Sequence, residues 1–198
     1  WNYFASSIQG SARCILDSRN IINQISFPKY LLPISIVFAN LINFLPTTLV
    51  LLGFIVIFHI RVSVLIVFLP IVILIQTCLV VGLSLLVSAL QVIYRDVEYI
   101  MQIVHMSLFF LTPGVYTLEE VINRTSPLFT KIYMLNPLVG ILNLYRITFI
   151  GGYLKLLPKE VNFFYTFINP ILWAMAILCI GYYIFKKCEK RFHDYINL

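Results

Sequence analysis

The stretch "VIYRDVEY", residues 92–99, decides how this sequence is read. It sets Arg95, Asp96 and Glu98 between two of the most apolar parts of the chain. Val62 to Tyr94 carries no charged residue, and Tyr99 to Leu118 carries none apart from His105. Charges packed this closely between two such runs mark a turn between two membrane spans, each needing about 20 apolar residues to cross a core about 30 Å thick.

The composition agrees with that reading. Hydrophobic residues make up 61% of the chain and charged residues 11%, whereas a soluble domain carries about a quarter charged residues. The formal net charge is +6, but the basic residues are spread along loops and tail rather than gathered on a face. Such charges report topology and contact with anionic membrane lipids, and nucleic acid is not expected as a partner. The four cysteines, Cys14, Cys78, Cys179 and Cys188, are scattered without metal-ligand or disulfide spacing and read as free thiols. The chain begins with Trp1 rather than Met and shows no signal peptide, so it reads as a fragment lacking its N-terminal segment.

Working outward, residues 1–12 are apolar but too short to span and read as the tail of a helix that began upstream. Residues 13–29, "RCILDSRNIINQISFPK", are polar, with Ile15, Ile22 and Ile25 near helical spacing, which predicts a short amphipathic helix ending before Pro28. Spans follow at about 31–58, 63–90, 99–115 and 162–185. A kink is expected at Pro46 and a tight turn at Arg61. The third of these spans is broken at Pro113-Gly114. Residues 128–150 are apolar but interrupted by Asn136-Pro137.

Topology decides how 128–150 is drawn. If this segment does not cross, one side holds Arg13, Arg19, Lys29, Arg95, Lys186, Lys187, Lys190 and Arg191. The positive-inside rule favours that arrangement and makes that side cytoplasmic. Residues 128–150 are then re-entrant half-helices on the outer side, tolerated where protein or a water-filled cavity covers them. The fold class is all-α, a polytopic transmembrane helical bundle with re-entrant outer half-helices. Arg95, Asp96 and Glu98 form a cytoplasmic turn, whose charges pair internally, contact the base of a neighbouring span or simply hold the turn among the lipid headgroups.

Several chemistries find no support. There is no phosphate-binding GxxxxGK[ST] loop, no HExxH pattern and no catalytic set, so neither catalytic nor metal-binding residues are assigned. His105 lies inside a span, where an ionisable residue is a functional candidate unless it merely hydrogen-bonds a neighbouring helix. Asn123-Arg124-Thr125 fits a short, common sequon and carries no weight.

Taken in order, "FPKYLLP", "YRDVEYI", "LTPGVY", "LNPLVGILNLYR" and "RFHDYI" resemble the membrane subunit of ABC transporters with a type-2 permease. The likeness is to the group exporting lipid-linked polysaccharides: O-antigen, capsule and teichoic acid. It covers essentially residues 1–198 as one transmembrane domain. The resemblance implies six spans per subunit and a homodimer; the amphipathic N-terminal helix and first span expected of each subunit are absent here. It also implies a separate ABC ATPase subunit holding ATP and magnesium, with no cofactor in this chain, in the bacterial cytoplasmic (inner) membrane. It makes Asp17, Arg19, Asn20, Phe27 and Pro28 the coupling segment that docks on the ATPase, and Asn136, Pro137 and Arg146 part of an outer gate. Tyr99, Phe109, Phe110 and Tyr116 would lie along the transport pathway, where aromatic rings stack on the C–H faces of sugars. The plainer reading makes such aromatics lipid-facing filler or interfacial anchors.

The expected function is therefore a permease subunit exporting a lipid-linked glycan. The alternatives are a type-2 exporter of drugs or lipids, or a membrane-embedded glycosyl- or acyltransferase. An ATP-independent channel or carrier would want intramembrane carboxylates, and the predicted spans contain none.

Overall fold

A computed structural model describes residues 1–19, 22, 27–114, 116–156, 163–190 and 192. The expected all-α class is what it has, with no strand among the described residues. The helices are α1 (Asn2–Asp17), α2 (Leu31–Ile57), α3 (Leu69–Ile93), α4 (Val97–Leu111), α5 (Leu118–Arg124), α6 (Pro127–Met134), α7 (Pro137–Phe149), α8 (Tyr153–Leu156) and α9 (Asn169–Glu189). A 3-10 turn at Val64–Phe68 leads into α3, and a π-helical turn at Phe164–Ile168 leads into α9. Three continuous helical stretches are long and apolar enough to cross a membrane: Leu31–Ile57, Val64–Ile93 and Phe164–Glu189.

Local chemistry explains where elements begin and stop. Pro46 lies inside α2, which continues past it. Ser63 caps the run into α3 by accepting from the Leu65 amide at 3.2 Å. α4 ends at Leu111, short of the predicted 115, because Pro113 pushes the preceding residue out of helical geometry. There the Thr112 hydroxyl turns back to the Leu108 carbonyl at 2.6 Å, and the Gly114 amide closes the turn on the Thr112 carbonyl at 2.7 Å. α6 has 8 residues and α7 has 13, hence lengths of about 12 Å and about 20 Å, each too short to cross a bilayer. The break between them is built by Asn136, whose side-chain oxygen accepts from the Leu138 amide at 3.0 Å, with Pro137 in the first helical position.

The chain divides into two compact units. The first comprises Trp1–Leu45, Thr77–Ser107 and Met175–Leu198. Its core joins Cys14 and Ile15 of α1, Leu85, Ala89 and Val92 of α3, Phe185 of α9, and Phe192. α1 turns one face inward, Tyr3, Phe4, Ser7, Ile8, Ser11, Ala12 and Ile15, following the three- and four-residue spacing of a helix stripe. Within the same unit α3 and α9 meet at Gly82 and Gly181, where the backbones touch.

The second unit comprises Pro46–Gln76 and Leu108–Ala174. Its centre is α7, which buries Val139, Ile141, Leu144, Ile147 and Phe149. The turn after α2 docks on the end of this helix. The Gly151 amide donates to the Arg61 carbonyl at 2.7 Å, the Ser63 amide to the Phe149 carbonyl at 3.3 Å, and Val62 bridges Ile150. His59 supports the reversal with a left-handed φ of 52°. On its other side α7 meets the π-helical turn, and Gly140 leaves room for Pro170 and the Tyr165 carbonyl.

Candidate functional site

Two constellations, one in each unit, gather the residues that the sequence singles out. In the first unit, the Tyr94–Glu98 turn is clasped by Gln91 from the last turn of α3. The Gln91 amide nitrogen donates to the Arg95 carbonyl at 2.8 Å, while its oxygen accepts from the Glu98 amide at 2.7 Å. Gln91 is only 2% exposed, so both ends of a buried amide are satisfied by the turn it closes. The Glu98 carboxylate accepts from the Arg13 guanidinium, tying the start of α4 to the end of α1. This ion pair holds Arg13 charged more firmly than usual, chiefly through the hydrogen bond to Glu98.

The three charges of the turn therefore divide. Glu98 contacts a neighbouring helix, whereas the side chains of Arg95 and Asp96 are exposed. Of the expected coupling residues, Asp17 closes α1 and is exposed, as are Arg19 and Pro28; Phe27 is half-buried. Asn20 lies outside the described residues, as do residues 21 and 23–26 of the predicted amphipathic helix, whose first residues, 13–17, belong to α1. At the end of α9 in the same unit, the Lys29 amide donates to Glu189 at 3.3 Å. The Lys186 ammonium lies 5.7 Å from the Tyr182 ring centroid, and the Lys29 ammonium 5.7 Å from that of Phe192. His105 is buried with its ring edge on Phe4, centroids 5.7 Å apart, and its Nε2 finds no hydrogen-bond partner among the described residues.

In the second unit, Arg146 of α7 reaches the turn that follows α4. Its guanidinium donates to the Pro113 carbonyl, to the Tyr116 carbonyl at 3.4 Å and to the Tyr153 hydroxyl at 3.4 Å. Tyr116 donates its hydroxyl to the Phe110 carbonyl at 2.9 Å and lies 3.0 Å from the Tyr133 hydroxyl of α6. Since Tyr116 spends its proton on Phe110, Tyr133 is the donor of that pair. Asn169 completes the constellation by donating to the Met134 and Leu135 carbonyls at 3.1 and 3.2 Å, where α6 ends. The Tyr145 hydroxyl of α7 donates to Gln76 of α3 at 2.5 Å.

Three of the residues expected along a pathway, Tyr99, Phe109 and Phe110, share α4. Tyr99 lies in the first unit and is exposed, while Phe109, Phe110 and Tyr116 lie in the second. Phe109 and Phe110 pack edge to face at 5.5 Å, and Tyr116 is drawn into the Arg146 cluster. Asn136 and Pro137 start α7, whereas Arg146 lies near its other end. Sequence reasoning did not single out Gln91, Tyr133, Tyr153 or Asn169. Their one visible signal is a polar group within or beside an apolar run. Among the described residues, no three His, Cys, Asp or Glu side chains converge to hold a metal ion.

No family model matches the chain. It is similar to an O-antigen export system permease protein RfbA of Myxococcus xanthus, 32% identical over 155 residues. That match covers 75% of this chain and 56% of the relative. Two proteins of the same description from Klebsiella pneumoniae are 28% and 27% identical over 196 residues, covering 98% of this chain and 71% of each relative. The chain thus spans little more than half the length of the first of these relatives and about seven tenths of the other two.

Proposed function

We propose that this chain, an all-α multi-pass relative of the type-2 ABC permeases of the polysaccharide-export group, is the membrane-spanning subunit of an exporter. It moves a lipid-linked polysaccharide across the bacterial cytoplasmic membrane, as a homodimer driven by a separate ATPase. One observation carries this reading: the similarity to O-antigen export permeases runs through 98% of the chain. Supporting it are three apolar helical stretches long enough to cross a membrane and two short helices, α6 and α7, separated at Asn136-Pro137.

In this mechanism ATP-driven closure of the partner pushes on the segment from Asp17 to Phe27. The Arg13–Glu98 pair passes that push from α1 to α4 within one unit. The half-helices α6 and α7 form the outer gate, and the glycan slides past aromatic faces that hold it weakly at each step.

The test is co-purification of the full-length permease with the ATPase encoded beside it, followed by glycan transport and ATP hydrolysis in proteoliposomes. A stable complex whose coupled activity disappears when residues 17–27 are scrambled supports the reading. If no ATPase associates and the scrambled protein behaves as the original, the coupling assignment falls and a transferase or channel takes its place.

A further inference from the structure

The hydroxyl of Tyr116 is the middle link of a chain: Tyr133 donates to it, and it donates to the Phe110 carbonyl. The carbonyls of Pro113 and Tyr116 take up the Arg146 guanidinium. Phe110, Pro113 and Tyr116, at the end of α4 and just after it, are thereby tied to α6 through a phenol and to α7 through a guanidinium. No other described polar contact joins Tyr133 to them. The last carbonyls of a helix find no donor within it, and these side chains supply one.

We propose that Tyr116, Tyr133 and Arg146 form a latch that keeps α6 and α7 against the turn after α4, and that this latch sets the closed state of the outer end of the path. The proposal rests on the export reading for what passes and when. Its chemistry also fits that substrate class. A tyrosine–tyrosine hydrogen bond exchanges for a tyrosine–sugar bond at little net cost, so a hydroxyl-rich polymer arriving at the latch replaces the partners that it displaces. The Phe129 ring stacked on Tyr133 at 6.4 Å offers such a polymer an aromatic face beside the hydroxyl. Arg146 acts as a positioning residue: it fixes the carbonyls of the turn and with them the Tyr116 phenol.

The experiment uses the full-length permease with its ATPase in proteoliposomes, without ATP, and reads passive efflux of entrapped sucrose. Tyr116→Phe and Tyr133→Phe remove one oxygen each and keep the ring. Each is expected to raise efflux roughly five- to tenfold, the population shift that loss of one hydrogen bond allows, while the thermal unfolding midpoint falls by no more than about 2–4 °C. The double variant leaks no more than Tyr116→Phe alone, since both hydroxyls serve one latch. Arg146→Lys keeps the charge but not the fork that reaches two carbonyls, and leaks likewise. Wild-type tightness in both phenylalanine variants, or additive effects in the double variant, overturns the latch; should Arg146→Lys fail to fold, those two variants decide alone. The export reading fails separately: a wild-type complex that moves no glycan with ATP, while the phenylalanine variants still leak, refutes export and leaves the latch standing.

Discussion

Gly181 of α9 lies against the carbonyl of Gly82 in α3, and a β-carbon built on Gly82 would come within 2.6 Å of the Leu178 amide nitrogen. At this crossing the neighbours are backbone atoms, which have no rotamer to give. Gly181→Ala is therefore expected to cost about 1–3 kcal/mol or more, the range for overpacking a close-packed site. Gly53→Ala, which meets nothing within 4 Å, is the matched control. Thermal unfolding in detergent compares the two, and equal midpoints would refute the close crossing.

Gln91 sets the second expectation. Gln91→Leu keeps the bulk but leaves the Arg95 carbonyl and the Glu98 amide without their partner. Each unsatisfied group costs about 1–3 kcal/mol when buried and less where water reaches the turn. The unfolding midpoint should fall clearly below that of Arg95→Ala, whose exposed side chain can be removed while its backbone carbonyl remains.

The Arg13–Glu98 pair is half in water: the Arg13 side chain is 51% exposed and that of Glu98 15%. Such a pair contributes at most about 1 kcal/mol and is screened by salt. Arg13→Glu is expected to lower ATPase coupling, and Arg13→Glu with Glu98→Arg to restore part of it. Measuring coupling at low and high ionic strength checks the electrostatic origin. A swap that restores nothing would mean that the pair transmits no movement.

Cys14 provides a pH test. Burial, and secondarily the charge of Asp17, pushes its thiol from the ordinary 9.0 up to about 12. The raised value means that the fold favours the neutral thiol. The associated stability is fully present below pH 9.0 and is lost as pH rises toward about 12. Near pH 8 a thiol-reactive maleimide should leave Cys14 unlabelled, so Cys14→Ser changes no labelling rate. Above about pH 9 the wild type should lose stability faster than Cys14→Ser.

Asn169 sets the last expectation. Its amide hydrogens meet the two carbonyls that end α6. Asn169→Asp keeps the shape but replaces the donors with oxygens that face those carbonyls. It is expected to destabilise by about 1–3 kcal/mol or more, and beyond Asn169→Ala, because it adds repulsion to the lost bonds. Unfolding midpoints of the two variants decide it.

How much was legible beforehand follows from how far each signal reaches along the chain. Pro113 acts on the residue before it and Asn136-Pro137 on the amides just after, so the end of α4 and the break between α6 and α7 could be read locally. Predicted limits of 31–58 and observed limits of Leu31–Ile57 nearly coincide because the apolar run itself sets that length. Glu98 was visible as a charge in a turn, but not as the partner of Arg13, 85 residues away in sequence.

Sequence alone therefore determined what depends on short range and on solvent: the all-α class, the extent of α2, the charged turn at 95–98 and the break between α6 and α7. Desolvation and local sterics act on a chain wherever it later folds. Only the tertiary structure decided which buried polar groups meet. Gln91 on the Tyr94–Glu98 turn, Tyr133 on Tyr116, Arg146 on the Pro113 carbonyl, Asn169 on the end of α6 and Gly181 on Gly82 are pairings between distant segments. A hydrogen bond or a backbone crossing has a range of a few ångströms, and composition holds no record of it until the chain has closed.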